Sequence, residues 1–430
     1  MYKSKIAVIG SGITGLSISY ILSNKYDVHL FEKNKALGGH TRTKYINESN
    51  IMHPIDTGFI VFNEKNYPDL TCFFKLLNIN YSDSDMSFSV SNKKLDLEYG
   101  GKNFFTLFAQ KKNLFSLKYL KMLQEIYKFY KLCDSTKIDK KLSKLNLKQF
   151  LDKYNFSENI RISHIYPMVS AIWSNNQNYI QNLPFKSFVN FFQNHGLFNL
   201  KNRPKWKYVN GGSQKYIDAI IKKKLFKFYT NIEILKIYRH NNKIEFFDFN
   251  NQKYNFDKII FATHADQILD LLSDPSQKEI ENLSKFKYTK NAAFLHTDNN
   301  LMPSKKIAWS SWNVLQTNNS NKNLTLTYWM NNLQKLKTKK DYFVTINPPH
   351  EPNNILDNTI FEHPIFSLET INAQKNIRDL QGFNNSYFCG SYLGYGFHED
   401  GIQSAAYIAN LLDVELPWKR SINFKSRLHF

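Results

Sequence analysis

Residues Ile6-Ala-Val-Ile9 form an unbroken apolar run closed by Gly10, the pattern of a strand buried on both faces of a parallel sheet. Leu16, Ile18, Ile21 and Leu22 then recur at helical spacing, and Asp27-Val-His-Leu-Phe31 reads as a second strand. Together they predict one βαβ unit. Phe256-Asp-Lys-Ile-Ile-Phe-Ala-Thr263 is a further run of parallel-sheet type. Leu324, Leu326 and Tyr328 alternate with polar residues, and both this stretch and Phe343–Ile346 read as strands. Ala405, Ile408, Leu411 and Leu412 predict a last helix, and Leu114, Leu117, Leu120, Leu123, Ile126 and Tyr130 predict an amphipathic helix over 104–131. The fold class expected is α/β.

The turn after the first strand carries Gly10, Gly12 and Gly15 in the spacing GxGxxG, with Ile13 and Thr14 between them, and Glu32 closes the second strand. Each has a mechanical role in binding a dinucleotide. Gly10 makes the tight turn, Gly12 lets backbone approach a pyrophosphate, and Gly15 lets the helix pack on the strand. The pyrophosphate sits on the helix N-terminus, where free N–H groups favour anions, and Glu32 accepts from ribose hydroxyls. The flanking strand and helix supply the context the motif requires.

A chain of 430 residues with 42% hydrophobic and 15% aromatic content is long enough for two packed domains. Cys72, Cys133 and Cys389 lie far apart with no CxxC, which argues against a disulfide framework or zinc site and favours a reducing cytoplasm. No stretch approaches the ~18 apolar residues of a spanning helix. The net charge of +21 is compatible with an anionic membrane surface and equally with AT-rich codon usage. No nucleic-acid-binding motif accompanies it.

Six residues beyond Glu32 the chain continues Gly38-Gly39-His40-Thr41-Arg42-Thr43, followed by Asp56-Thr-Gly58-Phe59. Farther on come Tyr208-Val-Asn-Gly211-Gly212-Ser213, the Phe256–Thr263 run, Phe388-Cys-Gly390 and His398-Glu-Asp-Gly-Ile402. In these segments the sequence resembles the FAD-dependent amine oxidase superfamily, which includes protoporphyrinogen oxidases and phytoene desaturases. The resemblance implies FAD as cofactor, with Gly38, Gly39, Thr41, Arg42 and Thr43 over its diphosphate. It places Asp56, Gly58 and Phe59 beside the flavin, and Ile234, on a strand over 231–238, against adenine. It adds Gly211, Gly212, Ala262, Thr263 and Gly390 to the cofactor site. Asp400, Gly401 and Ile402 would begin a helix aimed at the flavin. The family's usual Arg after the paired glycines is His40 here. The implied architecture is a Rossmann-type FAD domain (1–65, 206–265, 381–420) with an interleaved α+β substrate domain (66–205, 266–380) and a tail (421–430).

Leu295-His-Thr-Asp298, Ala308-Trp-Ser-Ser-Trp-Asn313, Tyr328-Trp-Met-Asn331, Thr263-His264, His363-Pro364 and Gly394-Tyr-Gly-Phe-His-Glu-Asp-Gly401 resemble a narrower subgroup. Its members accompany cyclopropane-fatty-acid-synthase-like methyltransferases, and some are implicated in dehydrogenating methylated fatty-acyl chains. The function implied is oxidation of a hydrophobic or lipid substrate, with an electron acceptor the sequence does not identify. An amine oxidase, a non-redox flavin isomerase and a cofactor-free escort protein are alternatives on the same fold. His398 is the proton-transfer candidate, because a neutral imidazole titrates near working pH. His296 and His164 are alternatives, and Glu399 is a further candidate with a structural role also open. No metal-ligand spacing and no GxSxG elbow are present. Aromatics such as Trp173, Phe191 and Trp312 either line a substrate tunnel or form an ordinary core. Lysines interleave the 104–131 helix, which either packs as scaffold or lies on an anionic membrane. The expected setting is cytoplasmic, with peripheral attachment at the inner membrane face under the second alternative.

Overall fold

The computed structural model describes the chain except residues 1–2, 137–138, 140, 200–202, 241–242, 318–323, 423 and 430. A five-stranded parallel sheet is built from β1 (Lys5–Ile9), β2 (Asp27–Phe31), β3 (Lys227–Tyr229), β4 (Lys258–Phe261) and β5 (Ser386–Phe388), in the spatial order 3-2-1-4-5. This is the beginning of the doubly wound dinucleotide-binding order. The alternation along β1 decides its two faces. Ile6 and Val8 enter a core shared with α1 (Ile13–Leu22) and with α4 (His398–Leu411), the helix that follows β5. Ala7 and Ile9 face the other way, toward a three-stranded antiparallel sheet of Ile234–His240, Lys243–Asp248 and Lys253–Phe256.

A seven-stranded sheet forms the second layer system. Its strands are Ile355–Ile365, Lys287–His296, Phe343–Ile346, Thr325–Trp329, Trp312–Gln316, Phe88–Asn92 and Leu97–Gly100, in that spatial order. Pairing is antiparallel except between Trp312–Gln316 and Phe88–Asn92. Beside it lies a helical lobe containing α2 (Leu117–Ser135), α3 (Tyr166–Trp173) and the helix Phe185–Asn194, packed around Phe129, Phe150, Phe188 and Phe192.

The 256–263 run contains the parallel strand Lys258–Phe261; Phe256 ends the preceding strand, and the Asp257 carboxylate between them accepts from Lys5 N at 2.8 Å. One local expectation is corrected. The 104–131 helix is broken into Phe104–Leu107, a turn at Lys111–Phe115, and α2. Ser116 starts α2 afresh, its hydroxyl accepting from Tyr119 N. The face that α2 buries is Tyr119, Met122, Phe129, Tyr130 and Cys133; Leu114 and Leu117 stay exposed. Near the C-terminal end, Arg427 pairs with Asp400, and His429 Nδ1 lies 2.6 Å from Gln374 Oε1.

Candidate functional site

The βαβ turn opens onto a cavity of about 1300 Å³, above the ~300–1,000 Å³ of a typical small-ligand pocket. Gly10 adopts φ +98°, and a Cβ there would stand 2.8 Å from Ala262 O. At Gly15 a Cβ would overlap Gly10 O at 1.8 Å, so this glycine sets the closeness of α1 to β1. Gly12 differs: an added Cβ would meet nothing within 4 Å, because this glycine faces the open cavity. Gly12 is also the N-cap of α1, which has no side-chain cap and no acidic residue in its first turn. Its N-terminal N–H groups are suited to an anion. Gly39, at φ +58°, approaches so closely that its Cβ would lie 3.1 Å from Gly12 Cα. Glu32 closes this end of the cavity, accepting from Ser11 N and Oγ and from Asn34 N and Nδ2. Ile234 and its neighbours Glu233 and Leu235 line the same end. An uncapped helix terminus, an open glycine face and a terminal carboxylate in one groove fit the diphosphate and ribose of a dinucleotide.

The middle of the cavity is walled by Thr41, Arg42, Gly58, Phe59, Ala262, Thr263, Gly390 and His398, with Ile13, Thr14 and Gly38 nearer the turn. His398 stacks on Phe59 at 3.7 Å between ring centroids. Its Nε2 lies 3.0 Å from Thr41 Oγ1, which in turn lies 2.5 Å from the Tyr216 hydroxyl. Burial pushes the His398 imidazole down to about 3, so it does not titrate near working pH as the sequence led one to expect; it is neutral there and stays a proton acceptor by its position on the cavity wall. The Arg42 guanidinium is committed to Asp357.

Several expected residues stand outside the cavity wall. His296 lies on the strand face opposite its neighbour Leu295, which register joins through Val344 to the cavity residue Tyr328. There its Nε2 meets Thr345 Oγ1 at 2.7 Å, and its Nδ1 accepts from Asp298 N. Glu399 follows His398, yet one helical step turns it by ~100°. It points to the helix Pro68–Leu76 and accepts from Asp69 N and Leu70 N. Burial, with the nearby Asp69 charge, raises it to about 8. Asp56, raised to about 6 by burial, accepts from Thr43 Oγ1, Ser213 N and Oγ, and Gln334 Nε2. Asp56, Thr43, Gly211 and Gly212 thus form a joint behind the site. Asp400 pairs with Arg427. Gly401 allows α4 to touch α1, since its Cβ would lie 2.6 Å from Thr14 Oγ1, and Ile402 is core.

Other groups reach the cavity unforeseen as site residues. Register pairs Tyr288 with Pro364, Thr289 with His363 and Lys290 with Glu362, and this brings Tyr288, Lys290, Glu362 and His363 to the wall beside His40 and His264. The His40 ring centroid is 5.7 Å from that of His264 and 5.5 Å from that of His363. Burial, then the two neighbouring imidazoles, holds His40 well below its usual range. His264 Nδ1 stands 3.4 Å from Glu362 Oε2, close enough for an ion pair when the ring is protonated. Thr263-His264 and His363-Pro364 were visible in the sequence, but their approach depends on strand register. Tyr99, Tyr130 and Arg203 also line the cavity, at the helical lobe, as does His164.

A family model described as an NAD(P)-binding Rossmann-like domain matches residues 8–77. No curated protein matches the chain by sequence. Among solved structures, a proposed protoporphyrinogen oxidase from Exiguobacterium sp. 255-15 is similar at 14% identity and a TM-score of 0.70, over 96% of this chain and 99% of that one. A CLA-producing fatty acid isomerase from P. acnes is similar at 12% identity and a TM-score of 0.69, with the same coverage. Cyclohexylamine oxidase from Brevibacterium oxydans IH-35A gives 14% identity and a TM-score of 0.66, over 96% and 100%. What the chain shares with all three is the fold: a Rossmann-type α/β domain with an interleaved second domain, in the amine-oxidase-like arrangement.

Proposed function

We propose that the chain is a FAD-dependent oxidoreductase that dehydrogenates a hydrophobic chain, with a fatty-acyl group, methylated acyl chains of phospholipids included, as the substrate class. The observation that carries this is continuity: one cavity joins the dinucleotide cradle at Gly12 and Glu32 to an apolar lobe at Met168, Ile172 and Phe191. Bound FAD would supply the two-electron acceptor, taking a hydride from a substrate C–H while the adjacent carbon loses a proton and a C=C bond forms. The protein's share is to hold the chain at the Phe59–His398 wall, exclude water and receive the proton, for which His398 is the candidate. The test is anaerobic bleaching of the flavin by a panel of acyl lipids, polyamines and isoprenoids. Bleaching by polyamines alone replaces this proposal with an amine oxidase, and a protein that binds no FAD ends it.

Access for such a lipid is provided by an apolar knuckle. Gly101 lines the cavity, and shortly after it in the chain Phe104 and Phe105 are 61% and 71% exposed, followed by Phe115 at 89% and Leu117 at 84%. The two segments are tied by Tyr119, whose hydroxyl donates to Leu107 O at 2.5 Å. Exposed Lys102, Lys111, Lys112 and Lys118 surround the aromatics. Apolar tips ringed by lysine suit an anionic lipid surface, and the docking element is this knuckle, not the face of a 104–131 helix.

A further inference from the structure

The lobe end of the cavity contains a buried chain of polar groups that the proposed redox chemistry does not use. The Tyr99 hydroxyl lies 2.9 Å from Ser163 O and 2.8 Å from His164 Nδ1. On the other side of the ring, the Tyr130 hydroxyl lies 2.8 Å from His164 Nε2 and 3.3 Å from Met168 Sδ. Tyr99, Tyr130 and His164 are all buried, and all line the cavity. Ser163 and His164 belong to a π-helical turn, Arg161–Ile165, that runs directly into α3; such turns are frequent at functional sites. Burial, reinforced by the positive charge of Arg203, pushes His164 down to about 3, so the ring is neutral. The same guanidinium opposes the effect of burial on Tyr130. Arg203 also lines the cavity, its Nε donating to Asn199 O.

A neutral imidazole allows the chain two proton arrangements. In one, Tyr99 donates to Ser163 O, His164 Nδ1–H donates to Tyr99, and Tyr130 donates to Nε2. In the other, Tyr99 donates to Nδ1, His164 Nε2–H donates to Tyr130, and the Tyr130 proton faces Met168 Sδ, a weak acceptor. A stronger acceptor entering the cavity selects the second arrangement and takes that proton.

We propose that this end of the cavity binds the anionic head of an amphiphilic substrate, a carboxylate or phosphate, with the Tyr130 hydroxyl donating to it and Arg203 supplying the opposing charge. The assignment rests on the lipid-oxidoreductase function proposed above and specifies how that substrate is oriented. Nine residues of continuous helix separate His164 from Trp173, a rise of roughly 13 Å. The Trp173 ring lies 6.4 Å from that of Phe397, the neighbour of His398, so it marks the far end of the lobe. The Tyr130 hydroxyl lies between His164 and Met168, and an extended chain advances ~1.2 Å per bond, so a head held there presents a carbon roughly six to eleven bonds away at the Trp173 end. Reaction would fall in the middle of a long acyl chain, not beside its head.

The test is direct binding to the purified protein of oleate, methyl oleate and 1-oleoyl-lysophosphatidic acid, by calorimetry. Oleate or the lysophosphatidic acid should bind at least about 10-fold more tightly than the uncharged ester, the range of one hydrogen bond to a charged group. The tighter of the two identifies the head as free carboxylate or phosphate. Tyr130→Phe and Arg203→Gln should each reduce the preference about 10-fold while leaving the affinity for the ester unchanged. Should Tyr130→Phe fail to fold, Arg203→Gln, at an exposed position, still decides the matter. Equal affinity for acid and ester in the native protein, or a preference that survives the substitutions, overturns the site. Head selectivity in a protein that takes up no FAD would keep the site and discard the redox function.

Discussion

Arg427 Nε lies 2.9 Å from Asp400 Oδ1, with the carboxylate side chain fully buried and the guanidinium side chain 10% exposed. The same arginine donates to Asn66 O, so a residue near the C-terminal end of the described chain secures the first turn of α4. Arg427→Met should destabilise the fold by about 3–5 kcal/mol, because Asp400 is left buried without its partner. Chemical denaturation measures this. Adding Asp400→Asn should recover part of the loss, and a neutral single variant would show that water reaches the pair.

Gly12 and Gly15 should fail in different ways. Gly12→Val meets open space at an ordinary φ of −64°, so the fold should survive while FAD binding is lost, since the new side chain occupies the pyrophosphate's place. Gly15→Ala forces a Cβ onto Gly10 O and should lower the melting temperature whether or not cofactor is present. Full flavin occupancy in the Gly12 variant would displace the diphosphate from α1.

His398→Gln should retain FAD and slow flavin reduction by about 100-fold, within the usual range for general acid–base catalysis. Because burial holds His398 near 3, the native reduction rate should show no acidic limb between pH 5 and pH 8. A limb near the ordinary imidazole value of ~6.5 would move the proton acceptor away from His398.

Protein stability should fall on acidification below pH ~6.5, the unfolded histidine value. Burial lowers His164, His195 and His398 to about 3 and His296 and His363 to about 4. Between those values and 6.5 the unfolded chain binds more protons, so stability rises with pH across that window. Asp56 and Glu399, raised to about 6 and 8, act in the opposite sense, because the native state holds their protons longer. The histidines are more numerous. His296→Gln should reduce proton uptake on unfolding at pH 5 by about one, read from the pH dependence of the denaturation midpoint. An unchanged slope would place His296 in contact with water.

Vesicle flotation tests the knuckle. Native protein should float with anionic vesicles at low salt and be released as the Debye length falls below ~10 Å. Phe115→Ser with Leu117→Ser should abolish flotation and leave the flavin spectrum unchanged. Equal flotation with neutral vesicles would remove the lysines from the proposal, and none with either would remove the membrane.

The sequence by itself determined the β1–α1–β2 unit and its turn, because an apolar run, glycine spacing and a helical repeat are local signals that need no distant partner. The same holds for α4, whose apolar spacing appears uninterrupted in the chain. Tertiary structure decided which polar groups share the cavity. Tyr130 reaches His164 across 34 residues only because α2 packs on the π turn before α3. Lys290 meets the level of Glu362 through strand register, a relation that depends on hydrogen bonding between strands and leaves no mark in either segment alone. His296 and Glu399 show the converse. Each lies close to residues of the cavity wall, yet strand alternation turns one to the other face of its sheet and ~100° of helix rotation turns the other. The face of a strand and rotation about a helix place a side chain only once the elements are packed, and that packing belongs to the fold as a whole.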